Sequence, residues 1–479
     1  MLRLRLALLA IAAMFSAGST RLHAQAAATS DTSVRARVDK IFAVWDRTDS
    51  PGCALGVYRD GRVEYARGYG MANLELGVAI SPQSVFDIGS TSKQFTAASL
   101  AMLAQDGKLS LDDDIRKYIP EMPNYGKTIT IRHILTHTSG IRDYLTLFAL
   151  TGIDDADLTT DDDAFGFITR QRELNFAPGD QWLYSNSGFF LASVIVKRVS
   201  GQTLAQFAAS RIFEPLGMTH TRFNDDHMSV IPGRATGYER RPGGRFATSM
   251  SNFEQTGDGA VQTSVEDLLK WDENFYRGTV GGSQMLAAMQ TTAVLNDGKQ
   301  QTYALGLTVD KYRGLRTVSH GGSWAGYRAE LLRFPEQHLS IACLCNLANT
   351  NPSMLARRVA DVYLGDRMIA MADGALASAQ GNPAATASGE SWTPSPADLA
   401  PLAGTYFSPE LETTYTLVVE NGKLVVRHHR LPRTELAPVT HDNFTAPNGV
   451  KFRFIRDKGK VAAFLVDAGR TRNLRFDRR

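Results

Sequence analysis

Cysteine is scarce: three residues in 479, too few for a disulfide framework. Cys343 and Cys345 stand two apart, on one face of what reads as a single strand, in poor geometry for bonding each other. Buried free thiols are the expected state, with a cross-link to Cys53 as the alternative. Long hydrophobic runs are lacking too. The apolar run Leu6–Phe15 falls short of the roughly 18 residues a membrane span requires, and no later stretch approaches that length.

Excess charge is the third absence. Lys and Arg number 52 against 49 Asp and Glu, a formal net charge of +3. Residues 1–26 read as a secretory signal peptide: Arg3 and Arg5, the apolar run, then small residues ending in Ala24-Gln25-Ala26. That segment carries Arg3, Arg5 and Arg21 and no acid, so the remaining chain sits at about zero net charge. It has no basic excess or basic run of the kind nucleic-acid binding calls for. No cysteine follows the apolar run to take a lipid anchor. A periplasmic or secreted protein acting on a small molecule or peptide is expected, without a nucleic-acid partner or a membrane span.

What is present is ordinary for a globular chain, 43% apolar and 21% charged. Val34, Val38, Ile41, Phe42 and Trp45 recur at helical spacing. "CALGVYRDGRVEYARGYG" predicts two strands around an Asp60-Gly61 turn. A helix follows from Ser90 to Gln105, with Gly107 just past its end. Residues 110–300 hold helical segments such as Ser187–Ser200 and Val265–Arg277, the second opened by Ser264 with Asp267 three residues on. Strands return at Leu315–Val318, Tyr327–Phe334 and Leu339–Leu347, and Asn351-Pro352 opens a helix to Leu364. The pattern is α+β: a sheet interrupted by a helical insertion, giving a two-lobed body with a cleft over residues 27–370. Met371–Ala397 is rich in Ala, Gly, Ser and Pro and reads as a linker. Residues 398–479 read as a separate antiparallel β domain, with Asn421-Gly422 turning one hairpin.

Chemistry concentrates in three places. Ser90 and Lys93 are three apart at a helix start, so the amine can reach the hydroxyl, and a desolvated lysine can serve as its base. "YSNSG" sets Tyr184 and Asn186 two apart in an extended loop, both facing one way. In "SHGGSWAGYRAELLRFPE", His320 ends a strand, Gly321 and Gly322 admit a substrate to the backbone, and the Ser323 N–H joins that of Ser90 as an oxyanion donor. No metal or cofactor is expected.

Together with "FDIGSTSKQFTA", "GKLSLDDDIRKYIPEM", "ITIRHILTHTSGI" and "FAPGDQWLYSNSGFFLAS", these motifs resemble serine hydrolases of the class C β-lactamase type. That group includes penicillin-binding carboxypeptidases, D-aminopeptidases and esterases. The resemblance covers residues 35–365 and implies a β-lactamase/transpeptidase-like body. It implies Ser90 as the acylated nucleophile, Lys93 and Tyr184 as the base pair, and Asn186 as a substrate contact. His320-Gly321-Gly322 stands where true β-lactamases have Lys-Thr-Gly. The C-terminal module resembles the lipocalin-like barrel of some peptidase members. A peptidase or esterase is expected, with a true β-lactamase, a D-Ala-D-Ala carboxypeptidase or a non-catalytic penicillin sensor as alternatives. An unperturbed histidine is mostly neutral at pH 7, so His320 should anchor an anionic β-lactam weakly, and better as pH falls towards 6.

Other motifs carry less. "GGSWA" near "HGG" echoes an α/β-hydrolase elbow, but the order and the chain length are wrong for that fold. His133 and His137 lack the glutamate of H-E-x-x-H and a third ligand, so His137 should bond the following turn. Asp112–Asp114 and Asp161–Asp163 read as helix starts, and His428-His429 as surface residues of a strand.

Overall fold

The computed structural model describes residues 33–370 and 392–479. The signal-peptide reading and most of the linker reading fall outside them. Strands Cys53–Arg59 (β1) and Arg62–Tyr69 (β2) form the expected hairpin. Asp60 and Gly61 both take positive φ, 50° and 72°, the twist a two-residue hairpin turn needs. The chain then leaves the sheet and returns as Thr308–Tyr312 (β3), Leu315–Trp324 (β4), Tyr327–Phe334 (β5) and Leu339–Cys345 (β6). The antiparallel order is β3-β4-β5-β6-β1-β2.

The inserted lobe carries the helices Lys93–Gln105 (α1), Tyr144–Thr151 (α2), Asn186–Ser200 (α3) and Val265–Arg277 (α4); Pro352–Leu364 (α5) follows the sheet. Successive β1 side chains serve opposite cores, as a strand's period of two requires. Cys53, Leu55 and Val57 pack with Val38, Phe42 and α5, whereas Ala54 and Tyr58 join α1 and α4. Buried on both faces, β1 and β6 carry apolar runs without polar alternation. Helix α1 is buried from Lys93 to Leu103, which makes it the central post of the body. Caps follow the sequence: the Ser264 hydroxyl accepts from the Asp267 N–H, and Asn351 caps α5. Asp161–Asp163 fill the first turn of a helix, and Asp114 caps a short 3-10 turn.

The expectations for Cys53, for the end of the His320 strand and for His428-His429 need correction. Cys53 is bonded to Cys345 across 292 residues, because the β1–β6 register sets these two directly opposite; Cys343 is the free, buried thiol. His320 does not end a strand but lies inside β4, opposite Leu331 of β5. His428 and His429 lie just past a barrel strand that ends at Arg427, and the His428 ring bonds the Thr413 hydroxyl at 2.8 Å.

Residues 404–478 form a closed eight-stranded antiparallel barrel. Its strands are Gly404–Ser408 (β7), Thr413–Glu420 (β8), Lys423–Arg427 (β9), Thr434–Thr440 (β10), Asn443–Thr445 (β11), Lys451–Asp457 (β12), Lys460–Ala468 (β13) and Thr471–Arg478 (β14). A short helix, Pro396–Leu399, starts inside the stretch read as linker. Leu147 and Leu150 of α2 pack into the barrel's own apolar cluster. Arg142 is fully buried and enters the barrel wall. It pairs with Glu410 at 2.6 Å and donates to the carbonyls of Arg472 and Asn473 at 3.0 and 3.1 Å. Among the described residues, no helix is long and apolar enough to cross a membrane.

Candidate active site

Strand β4 and the turn before α1 meet at backbone distance. Ser90 lies in a 3-10 turn, Gly89–Ser92, and the α-helix begins only at Lys93. Asp87 holds this turn by accepting from the Gly89 N–H at 2.7 Å and from the Gln262 side chain at 2.9 Å. Burial pushes the Asp87 carboxyl up to about 6. The Thr91 hydroxyl donates to the His320 carbonyl at 3.1 Å. Glycine is required here, since a Cβ on Gly322 would sit 1.8 Å from the Ile88 carbonyl oxygen. That contact explains why glycine stands at this position of β4. A Cβ on Gly89 would in turn lie 2.8 Å from the Ser323 nitrogen, which places that amide against the Ser90 turn.

The Lys93 amine points inward and is fully buried. It donates to the Ser90 hydroxyl at 3.0 Å, to the Asn186 side-chain oxygen at 2.9 Å and to the Asp258 carbonyl at 2.5 Å. Burial brings its pKa down to about 7, against the opposing charge of Asp258. Three acceptors thus fix the amine, while burial favours its neutral form. The Asn186 amide is oriented in turn by Asp143, whose Oδ2 accepts from the Asn186 backbone and side-chain N–H groups at 2.7 and 2.9 Å. Asn186 is the first residue of α3, not part of an extended loop.

The Tyr184 hydroxyl is buried without a hydrogen bond of ordinary geometry. Burial raises its pKa, with Ser90 acting in the opposite sense, so it stays a neutral phenol. Its ring lies 4.0 Å from that of His137, whose Nδ1 accepts from the Ser185 N–H at 3.2 Å. His137 therefore supports the Tyr184 loop, while the His133 ring accepts from the Thr130 N–H in a capping box.

His320 departs from the sequence reading. Its Nδ1 bonds the Gly321 carbonyl at 2.6 Å, and its Nε2 meets the Tyr303 hydroxyl at 2.8 Å. With Nδ1–H as donor, Nε2 accepts from Tyr303, and the neutral ring is satisfied on both sides. Burial, then the charge of Lys93, lower its pKa to about 3. His320 lines the cavity, but it gains no charge near pH 6 with which to anchor an anion.

A cavity of about 610 Å³ joins these parts, lined by Ser90, Tyr184, Asn186, His320, Gly321, Gly322 and Ser323. It brings together every site residue named from the sequence except Lys93, which lies behind Ser90. Three residues were missed. Asp143 and Asp258 carried no motif signal. Arg470 comes from the barrel, at the β13–β14 turn, with its guanidinium 4.5 Å over the Tyr184 ring and 3.8 Å from Asp143. Asn175 pins that turn by donating to the Arg470 carbonyl at 2.9 Å and accepting from the Arg472 N–H at 2.7 Å.

Residues 35–365 match the Beta-lactamase family. The chain belongs to that family. It is similar to a D-aminopeptidase of Brucella anthropi, 28% identical over 319 residues, covering 66% of this chain and 59% of that one. It is also similar to penicillin-binding protein 4* of Bacillus subtilis, 29% identical over 301 residues, covering 60% and 66%. The chain thus spans about three fifths to two thirds of the length of these relatives. Among solved structures, the octameric penicillin-binding protein homologue from Pyrococcus abyssi aligns with a TM-score of 0.62 at 22% identity. That alignment covers 93% of this chain and 99% of the other, more than this chain's family body alone supplies.

Proposed function

We propose that this beta-lactamase family member is an exported serine hydrolase. It cleaves amide or ester bonds of D-amino-acid derivatives through an acyl-enzyme on Ser90. The observation that carries the reading is the 3.0 Å contact between the Ser90 hydroxyl and a buried lysine whose pKa is brought down to about 7. Neutral Lys93 takes the Ser90 proton as Oγ bonds to the substrate carbonyl carbon. The resulting oxyanion is met by the N–H groups of Ser90 and Ser323. Collapse breaks the bond to the leaving group, which receives the proton from Lys93, with the neutral Tyr184 phenol able to relay it. Water then attacks the ester carbonyl, giving its proton to Lys93, and as the ester bond breaks Lys93 passes that proton to the Ser90 Oγ, restoring hydroxyl and neutral amine. The D-amino-acid preference follows the D-aminopeptidase among the relatives, and export follows the reading of residues 1–26.

The test is peptide mapping by mass spectrometry after treatment with a fluorophosphonate probe. A single adduct on the Ser90 peptide is expected. An adduct on the Ser323 peptide, or none, refutes the assignment of the nucleophile.

A further inference from the structure

Lys93 must be neutral to take the Ser90 proton, yet the carboxylates of the body favour its charged form. Asp143 and Asp258 are both buried. Asp258 offers the amine its main-chain carbonyl at 2.5 Å, and its charge opposes loss of the proton. Asp143 is linked to the amine through Asn186. The amine donates to Asn186 Oδ1 at 2.9 Å, and the Asn186 side-chain N–H donates to Asp143 Oδ2 at 2.9 Å. The other titratable neighbours bring no charge near pH 7. Tyr184 stays a phenol, and burial keeps the His137 and His320 rings neutral. Arg142, next to Asp143 in the chain, is paired with Glu410.

The opposing charge comes from the barrel. The Arg470 guanidinium stands 3.8 Å from Asp143 Oδ2 and 4.5 Å over the Tyr184 ring. The Lys93 amine lies 5.0 Å from the centroid of the same ring. The two cations are therefore within about 10 Å of each other, close to one Debye length in physiological salt. Two further arginines line the cavity, and both are engaged elsewhere. Arg328 donates to the carbonyls of Ala325 and Tyr327 at 2.9 and 2.6 Å, and Arg234 acts on Asp87. Asn175 grips the barrel turn through the Arg470 carbonyl and the Arg472 N–H, so its hold does not depend on the side chain at 470.

We propose that Arg470 is a positioning residue which the barrel brings to the catalytic body: its charge answers that of Asp143 and leaves the Lys93 amine free to act as the base for Ser90. The barrel then sets the lower end of the pH range in which the body works. This rests on the reading of Lys93 as the base. It goes beyond that reading, because it assigns the state of the base to a residue outside the family region of 35–365.

The sign of the effect is fixed. Removing a cation near the amine favours its charged form, so the acid limb of the acylation profile moves to higher pH. The experiment measures burst rates between pH 5.5 and 9.5 for the full-length wild type, Arg470→Lys, Arg470→Gln and Arg470→Glu. The substrate is p-nitrophenyl acetate, an uncharged ester, which keeps any direct contact between substrate charge and Arg470 out of the readout. Arg470→Gln should raise the midpoint by about 0.5–1 pH unit, the size expected for a half-exposed charge at this range. Arg470→Glu should raise it further, and Arg470→Lys should stay within about 0.3 unit of the wild type. A side chain that merely held the turn would change the plateau rate and leave the midpoint where it is. One readout needs no substitution. Salt screens the half-exposed Arg470 more than the buried carboxylates, so the wild-type midpoint should rise between low and high ionic strength. An unmoved midpoint in the Gln and Glu variants, an Arg470→Lys shift as large as that of Arg470→Gln, or a wild-type midpoint that falls with salt would overturn the role while leaving Lys93 as the base. A flat wild-type profile would remove the base itself, and both readings with it.

Discussion

Replacing Lys93 by methionine should slow acylation of Ser90 by about four orders of magnitude or more, because nucleophile and base act as one unit. The substitution removes the amine that holds Ser90, Asn186 and the Asp258 carbonyl together. It spares the frame around them, since Asn186 remains fixed by Asp143 and the Ser90 turn by Asp87. The fold should also tolerate it. Burial holds the Lys93 pKa at about 7, far below its ordinary value, so folding disfavours the charged form that this side chain takes in the unfolded chain at neutral pH. That cost is fully present below pH 7 and fades as pH rises towards the ordinary lysine range. A methionine of similar length avoids it, and the variant should melt at or above the wild-type temperature at pH 7. Burst kinetics with a p-nitrophenyl ester measure the acylation rate directly. Near-wild-type bursts from Lys93→Met would mean that the 3.0 Å contact is structural.

Glu410→Ala should destabilise the protein by about 3–5 kcal/mol, the usual cost of leaving one member of a buried ion pair alone. Arg142 is fully buried and Glu410 nearly so, at 0% and 4% side-chain exposure. Glu410 also accepts from the part-buried Arg172 N–H at 2.7 Å, so its loss removes this hydrogen bond together with the ion pair. The consequence reaches the site through one peptide unit. Arg142 is followed by Asp143, which orients Asn186, and the barrel segment that Arg142 grips carries Arg470. Activity should therefore fall together with stability. Urea unfolding followed by tryptophan fluorescence gives the first quantity and ester turnover the second. A change below about 1 kcal/mol with full activity, as for a surface pair, would show that barrel and body are coupled only loosely.

The parts legible in the sequence were those written locally. Asp60-Gly61 and Asn421-Gly422 announce hairpins because a tight turn needs positive φ. Ser264 and Asn351 announce helix starts because orphan N–H groups need acceptors nearby. Ser90, Lys93, Tyr184 and Asn186 were found by residue type and spacing, and the fold brings them together. What was not legible depends on distant pairings. The Cys53–Cys345 bond follows from a strand register joining residues 292 apart. The state of His320 is set by Tyr303 and by burial, neither of which its own motif reveals. Arg470 lies in an ordinary turn of the barrel, and only the docking of the barrel on α2 carries it to Tyr184.

The central claim is that neutral Lys93 activates Ser90, and the pH dependence of the acylation rate tests it most directly. The base works deprotonated, so the rate should rise with pH and level off above the lysine's pKa, which the site holds near 7. Asp258, raised to about 6 by burial, titrates beside it, so the observed midpoint belongs to the pair. His320, at about 3, contributes nothing in this range. Burst rates measured between pH 5.5 and 8.5 should climb close to tenfold per unit at the acid end, turn over near pH 7, and lose this dependence in Lys93→Met. A flat wild-type profile across that range, or a rising limb that survives in Lys93→Met, would contradict the account.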